Sequence, residues 1–379
     1  MKSGSGWVAV ALSGGVDSSV VAYLLRREGY DVRGVHMRNW DAPCAGTCGG
    51  NAFADVRRVG EFLGVPVEEV RFVEAFRERV LAPVLDAYRK GFTPNPDVLC
   101  NREIKFGLLL EYVLARGAEF LATGHYARLL PHPRRAGALA LYKGVDETKD
   151  QSYFLYALSP DVLSFLRFPL GTWRKREVRA LARSVGLPTA EKPDSVGLCF
   201  VGREVDMLPF LRAFLPEAPG EIRDVDDGEV LGVHEGVHFY THGQRKGLRL
   251  GGRGREKRGP WYVAAKDVER QILYVAQGRE HPSLFASGVE AEEVVWTAGE
   301  IPAPGVRLAA RTRYRQREAE VVILAADENR VTLRFAKPQW AVTPGQALVL
   351  YEGEMVVGGA TIVNVERPFF AGRPFGPLV

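Results

Sequence analysis

Residues 7–19 read Trp7-Val8-Ala9-Val10-Ala11-Leu12-Ser13-Gly14-Gly15-Val16-Asp17-Ser18-Ser19: six apolar residues running straight into a glycine pair and then into serines around an aspartate. An apolar run this short, ended by a glycine turn, predicts a buried strand. From Asp17 to about Arg27 the apolar residues Val20, Val21, Leu24 and Leu25 fall on one helical face, and Gly29 follows where a helix should stop. Outward from this unit the pattern repeats. Strands are expected at Asp31–Met37, Val67–Val73 and Glu119–Thr123, with helical stretches near 54–63, 75–89 and 103–116 between them. Strands alternating with helices predict an α/β, doubly wound parallel sheet. Ligands of such sheets bind beyond the carboxyl ends of the strands, where Ser13 and Thr123-Gly124-His125 both fall.

The turn between the first strand and helix carries chemistry. Two glycines let successive amides point at one spot, and the helix amino end adds partial positive charge, so the turn is a phosphate cradle. Ser13, Ser18 and Ser19 offer hydroxyls, and Asp17 a carboxylate for phosphate-bound Mg²⁺. The Gly-Lys-Ser/Thr ending of a Walker A loop is missing, and Gly4-x-Gly6 precedes the strand instead of following it, which excludes a dinucleotide fingerprint. The plain alternative is a serine-capped glycine turn. The string SGGVDSS resembles the pyrophosphatase loop of enzymes that cleave ATP between its α and β phosphates and adenylate a substrate oxygen. Asparagine synthetases, argininosuccinate synthases, NAD synthetases and tRNA-thiolating enzymes share it. It leaves the substrate open.

The rest of the chain narrows the choice. Its 379 residues, 46% hydrophobic and 25% charged, predict two or three globular domains. No apolar run approaches the ~18 residues of a membrane span, and Trp7–Leu12 is too short for a signal-peptide core, so a soluble, cytoplasmic protein is expected. Net charge is only +4, but it is clustered. Residues 241–258 hold Arg245, Lys246, Arg249, Arg253, Arg255, Lys257 and Arg258 against one acid, Glu256, and residues 307–317 hold five arginines and no acid. Such clusters suit phosphate contacts, or are simply solvated basic faces. Residues from about 152 to 214 look helical, including a basic amphipathic piece at 174–183. From about Gly220 turn signals separate short β-rich pieces, and from Gly288 onward alternating strands predict a small β-barrel. The expected domains are therefore 1–212 (catalytic), 213–285 (a small central β-rich domain) and 286–379 (the C-terminal barrel).

Four cysteines, Cys44, Cys48, Cys100 and Cys199, exclude a disulfide scaffold, and their spacing does not match paired zinc ligands; no metal site is expected. Cys100 stands in Thr93-Pro94-Asn95-Pro96-Asp97-Val98-Leu99-Cys100-Asn101. The prolines suggest a loop, with a helix resuming near Arg102, so that a thiolate at Cys100 would lie before a helix amino end with Arg102 and Lys105 nearby. Cys199 lies in another loop-like stretch, with Lys192 available. A lone cysteine is more often a small buried hydrophobe.

Six motifs change that weighting. TPNPDVLCN (93–101), GHYAR (124–128), KDQSYFL (149–155), KPDSVGLCF (192–200), GQRKGL (243–248) and RYRQ (313–316) stand in the order found in the tRNA-specific 2-thiouridylase family, which the chain resembles from about Val8 almost to its carboxyl end. The resemblance implies that Ser13, Gly14, Gly15, Val16, Asp17, Ser18, Ser19 and Val20, with Met37 and Gly124, bind ATP with Mg²⁺, and that the 2-oxo group of the wobble uridine is adenylated. Cys199 would carry a persulfide delivered by a sulfur-relay or cysteine desulfurase protein, and Cys100 would be its partner nucleophile, forming a disulfide with it. Asn95, Pro96 and Asp97 would meet the extruded base. His125, Lys149, Asp150, Gln151, Arg313, Tyr314 and Gln346 would contact tRNA, and a monomer is the family expectation. Read without the family, His125 packs, 149–151 form a polar turn and Gln346 finishes a barrel turn. One departure stands out: Asn39-Trp40 matches the family, but Cys44-Ala-Gly-Thr-Cys48 replaces its usual acidic stretch, as a lid, a redox pair or part of a metal site. A cluster-based variant would have Asp97, Cys100 and Cys199 ligate iron–sulfur. Rival readings are an adenylating ligase for a small carboxylate or ureido substrate, which leaves the cysteine pair unexplained, and a non-catalytic tRNA-binding protein, which leaves the ATP loop idle.

Overall fold

The computed structural model describes residues 6–41, 52–194, 207–250, 259–370 and 378–379. Cys44, Cys48, Cys199 and the basic residues 253–258 lie outside the described residues.

The opening apolar run forms β1 (Trp7–Ala11), buried along its length, and the turn after it leads into α1 (Val16–Arg27). A continuous apolar run suits a strand covered on both faces, as parallel strands are. β2 (Val32–Arg38), α2 (Ala52–Leu63), β3 (Val67–Arg71) and β4 (Ala118–Ala122) complete the expected alternation. All pairings in this sheet are parallel, in the order β3-β2-β1-β4 with a fifth short strand outside β4. The order reverses at β1, which places the switch point between the carboxyl ends of β1 and β4. One apolar cluster fills the α1/α2 face and another lies on the opposite face.

Four local expectations are corrected. Val73 opens a helix instead of ending β3; that helix runs over 73–89, with a wider π-type turn at Arg77–Leu81. The proline-rich stretch before Cys100 is not a loop. Pro96 is the first residue of a helix over 96–115, capped by Asn95, whose Oδ1 accepts the Asp97 N–H at 3.2 Å. Proline lacks only an N–H that the first helical turn leaves unused, so Asn-Pro-Asp starts a helix instead of blocking one. Residues 152–172 are mostly short 3₁₀ turns, with the two-residue strand β7 (Leu166–Arg167) adding the fifth strand; among the described residues of 152–214, only Lys175–Val185 and Met207–Arg212 are α-helices. Finally, β5 (Ala127–Pro131) and β6 (Leu139–Lys143) form a hairpin that the sequence reading passed over.

The β-rich half forms two sheets. β8 (Gly220–Asp224), β9 (Val230–His234), β10 (Trp261–Asp267) and β11 (Ile272–Gln277) pair in the order β10-β11-β8-β9. The last six strands, β12 (Phe285–Val295), β13 (Arg307–Arg311), β14 (Ala319–Ala326), β15 (Arg330–Trp340), β16 (Ala347–Glu352) and β17 (Met355–Glu366), are antiparallel and close into a barrel through the β12–β17 pairing. The β5–β6 hairpin extends this sheet, since Met355 pairs with Tyr142. No helix among the described residues is long and apolar enough to cross a membrane.

Candidate active site

The turn after β1 has the geometry of an anion cradle. Gly15 caps α1 in an extended conformation, with no side-chain cap, so the first-turn amides of the helix are open to an external acceptor. Gly14 is left-handed, at φ +74°, and a Cβ there would stand 2.7 Å from the Ala52 carbonyl oxygen, so only glycine fits. The three serines divide their work. Ser19 Oγ donates to the Gly15 carbonyl at 2.8 Å and Ser18 Oγ to the same oxygen at 3.2 Å, and both residues are buried. They brace the turn from within, leaving Ser13 as the exposed hydroxyl. Val16 and Val20 are core residues beneath it. Gly124, just beyond β4, touches the cradle from across the switch point: a Cβ there would lie 3.0 Å from the Ser18 backbone nitrogen. Met37, near the carboxyl end of β2, is half-buried and packs against two apolar clusters, one holding Phe106 and Tyr153 and the other Phe76 and Ile104.

Cations surround this turn. Lys175, the first residue of its helix, donates to both oxygens of Asp17 at 2.7 Å, and the Tyr126 hydroxyl donates to Asp17 Oδ1 at 2.8 Å. Lys175 also lies 3.0 Å from Asp194, which pairs with Arg179 and, at 2.9 Å, with Lys149. Burial would raise the Asp194 pKa, but the hydrogen bonds from Lys149, Lys175 and Arg179 outweigh it and hold the carboxyl well below its ordinary value. On the other side, Lys192 donates to the Gly14 carbonyl at 2.9 Å and pairs with Asp55, and a cleft lined by Ala54, Asp55, Arg58, Pro188 and Lys192 opens beside it. Burial opposes ionisation of Asp55 as well, and Lys192 and Arg58 lower its pKa. Among the described residues no group of three or more His, Cys, Asp or Glu could hold a metal ion. A Mg²⁺ here would arrive with phosphates, near Asp17.

Cys100 is buried at 2% exposure. It occupies the fifth position of its helix, and its own N–H is bonded back to Asp97 and Pro96, so the open amides of the helix start lie a turn upstream of it. The expectation of a thiol poised before the helix end is thereby corrected. The helix then widens into i→i+5 turns over Cys100–Leu108, a feature frequent at functional sites. Asn101 Nδ2 donates to the Phe154 carbonyl at 3.1 Å, and Lys105 Nζ donates to Asn101 Oδ1 at 2.7 Å and reaches His125 Nε2 at 3.5 Å. His125 Nδ1 meets Thr123 Oγ1 at 2.6 Å. Burial, with Lys105 beside it, pushes the His125 pKa well below its usual value and keeps the ring neutral. The Cys100 helix is thus tied through Lys105 and His125 to Gly124 and the phosphate cradle.

The other residues expected at tRNA have internal partners. Asp150 is buried and accepts from Gly144 N, Ser152 N, Ser152 Oγ and, at 2.9 Å, Arg311. Gln151 Oε1 accepts the Tyr126 N–H. Arg313 donates to the His242 and Ala341 carbonyls and to Thr343 Oγ1, and Tyr314 packs on Phe154 with ring centroids 4.4 Å apart. Arg315 and Arg317, in contrast, are exposed. Tyr126 and Lys175 were missed by sequence reasoning, although Tyr126 sits inside GHYAR and Lys175 inside the basic helix at 174–183.

Comparison with known proteins agrees with this architecture. Three family models match: one described as tRNA methyl transferase HUP domain over residues 7–203, one as tRNA methyl transferase PRC-barrel domain over 209–277, and one as aminomethyltransferase beta-barrel domain over 286–362. The chain is 48% identical over 366 residues to the tRNA-specific 2-thiouridylase MnmA of Verminephrobacter eiseniae (strain EF01-2), covering 94% of this chain and 98% of that protein. It is 48% identical over 362 residues to the protein of the same name from Ralstonia nicotianae (strain ATCC BAA-1114 / GMI1000), covering 95% and 96%. Among solved structures, the U34-tRNA thiolase NcsA from Methanococcus maripaludis aligns over 50% of this chain and 60% of its own at 18% identity and a TM-score of 0.33, too weak a likeness to bear on function.

Proposed function

The chain belongs to the tRNA-specific 2-thiouridylase family of tRNA sulfurtransferases, and on that premise we propose that it uses ATP and Mg²⁺ to thiolate carbon 2 of the wobble uridine in the tRNAs for Lys, Glu and Gln. The observation that carries this reading is the close approach of Gly124 to the cradle, where an added Cβ would lie 3.0 Å from Ser18 N, together with the contacts of the adjoining His125 with Lys105 and of Lys105 with Asn101 on the helix bearing Cys100. A nucleotide on the cradle and a sulfur on that helix then serve one reaction centre. A ligase for a small carboxylate has no use for such a link.

The triphosphate lies on the open amides of α1 with Ser13 beside them, and Lys175 and Lys192 supply positive charge from either side. The uridine O2 attacks the α-phosphorus, and pyrophosphate leaves. Asn95, Pro96 and Asp97 hold the extruded base. Cys199 carries the persulfide, loaded by a sulfur-relay or desulfurase partner. Its terminal sulfur bonds to C2 as the C2–O bond to AMP breaks; Cys100 attacks the inner sulfur, so the persulfide S–S bond breaks and a Cys100–Cys199 disulfide forms. A thiol reductant restores both cysteines. His125, Lys149, Asp150, Gln151, Arg313, Tyr314 and Gln346 shape the tRNA surface, several of them by holding its backbone in place. The enzyme acts as a cytoplasmic monomer, with domains at 1–212, 213–285 and 286–379.

The test is mass spectrometry of tRNA nucleosides after incubation with ATP, Mg²⁺, cysteine, a cysteine desulfurase with its sulfur-relay partner, and a thiol reductant. An oxygen-to-sulfur mass gain at the wobble uridine is expected. The Cys199→Ser variant should lose it while still binding ATP and tRNA. Product formation by Cys199→Ser overturns the cysteine assignment, and a requirement for bound iron would favour the cluster-based chemistry instead.

A further inference from the structure

Lys105 differs from the other cations of the site. Lys149, Lys175, Arg179 and Lys192 each face a carboxylate, at Asp194, Asp17 or Asp55. Lys105, half-buried, pairs with no carboxylate among the described residues; its ammonium rests on the amide oxygen of Asn101 and the imidazole of His125, both neutral. Holding a charge away from bulk water without a counter-ion costs free energy that an arriving anion would recover. The surroundings are built to keep that charge in place. Asn101 is buried and fixed by the Phe154 carbonyl, and His125 is fixed by Thr123 and enclosed by Phe106 and Phe168. Because burial and Lys105 itself keep the imidazole neutral, Nε2 remains an acceptor for the ammonium.

The position says which anion it is. Lys105 is five residues beyond Cys100 on the same helix, within its stretch of i→i+5 turns. Its other neighbour, His125, adjoins Gly124, where an added Cβ would stand 3.0 Å from the Ser18 amide nitrogen of the cradle. The ammonium is therefore carried on the Cys100 helix and held by the residue next to Gly124 at the edge of the cradle.

We propose that Lys105 is a catalytic residue that binds the phosphate of the adenylated uridine and stabilises it as it leaves. This rests on the proposed adenylation. As sulfur bonds to C2 and the C2–O bond breaks, the electron pair departs on the oxygen of AMP, whose phosphate goes from a singly charged diester to a more highly charged monoester. A fixed ammonium is worth most at that moment, because the charge develops in a site already organised to receive it. Asn101 and His125 are positioning residues for it.

The experiment is single-turnover thiolation of tRNA with radiolabelled ATP by wild type, Lys105→Met and Lys105→Arg. In Lys105→Met, thiolation should fall at least tenfold, adenylated tRNA should accumulate, and the dissociation constants for ATP and tRNA should stay within about twofold; Lys105→Arg should recover part of the rate. The proposal is overturned if Lys105→Met thiolates normally. It is also overturned if that variant weakens tRNA binding with a lower salt slope and no accumulated adenylate, the mark of a backbone-phosphate contact. A third overturning result is an altered pH profile of Cys100 alkylation without accumulated adenylate, the mark of a residue that tunes the thiol. If wild type itself never forms ATP-labelled tRNA, the adenylation reading fails and the role of Lys105 is overturned with it, a result distinct from a normal or altered Lys105→Met.

Discussion

Gln346 Nε2 donates a 2.7 Å hydrogen bond to the carbonyl of Thr93, joining the barrel to the loop that enters the Cys100 helix. The Thr93 N–H is itself bonded to the Pro344 carbonyl, and its hydroxyl lies 3.3 Å from that of Thr241 in the middle domain. Asn95, two residues on, caps the helix. Gln346→Ala should therefore lower thiolation kcat several-fold and cost about 1 kcal/mol of stability, with ATP affinity unchanged. Steady-state kinetics beside thermal melts check this. A rise in KM for tRNA alone would mean that Gln346 acts by touching RNA instead.

Gly14→Ala places a side chain at φ +74°, facing the Ala52 carbonyl at 2.7 Å. The left-handed conformation alone costs about 1–2 kcal/mol, and relief of the contact would move the cradle off α2. Calorimetry should show ATP binding weakened at least tenfold and a lower melting temperature, with tRNA binding retained. Unchanged ATP affinity would separate this turn from the nucleotide.

Asn95→Ala removes the cap that accepts the Asp97 N–H. Loss of such a cap typically costs about 1 kcal/mol, and it would fray the turn that buries Cys100. Alkylation of Cys100 by iodoacetamide should quicken in the variant, read as the rate of labelling of a peptide containing residue 100. An unaltered rate would leave Asn95 only its proposed role toward the base.

These variants test features of unequal visibility in the sequence. β1, the cradle and α1 were legible because everything that defines them is local: an apolar run, two glycines and a helical face within about twenty residues. The barrel was legible for the same reason, from alternation and turn residues. The prolines before Cys100 misled because their position relative to a cap decides whether they block or start a helix, and Asn95 settles it only through its hydrogen bond. β5 and β6 are five-residue pieces that pair with each other, and the strand that joins them to the barrel, β17, lies more than 200 residues beyond β6. The Lys175–Asp17 pair spans 158 positions and Arg311–Asp150 spans 161, so no spacing rule could reveal either. For Arg313 the internal acceptors were not legible, because His242, Ala341 and Thr343 lie 71, 28 and 30 positions away.

Lys266 gives the last prediction. It is fully buried in β10, and its ammonium donates to the Gly91 carbonyl at 2.7 Å, at the start of the loop that Gln346 also holds. Burial first, and the nearby Arg367 guanidinium second, push its pKa down to about 7. His242, buried in the same cluster, is already neutral at that pH, because burial and the surrounding cations hold its pKa well below the ordinary value. In the unfolded chain Lys266 keeps its proton to about pH 10.4. Between the two values the unfolded state binds more protons, so the contribution of Lys266 to stability is fully present above about pH 10 and is lost as the pH falls toward 7. Replacing it by methionine removes the titrating group while filling similar volume. Chemical denaturation of wild type and Lys266→Met from pH 7 to 9.5 should show the difference in unfolding free energy moving in favour of wild type as the pH rises, by roughly 1.4 kcal/mol for each pH unit at most. A difference that stays flat across this range would mean that Lys266 keeps its charge in the fold.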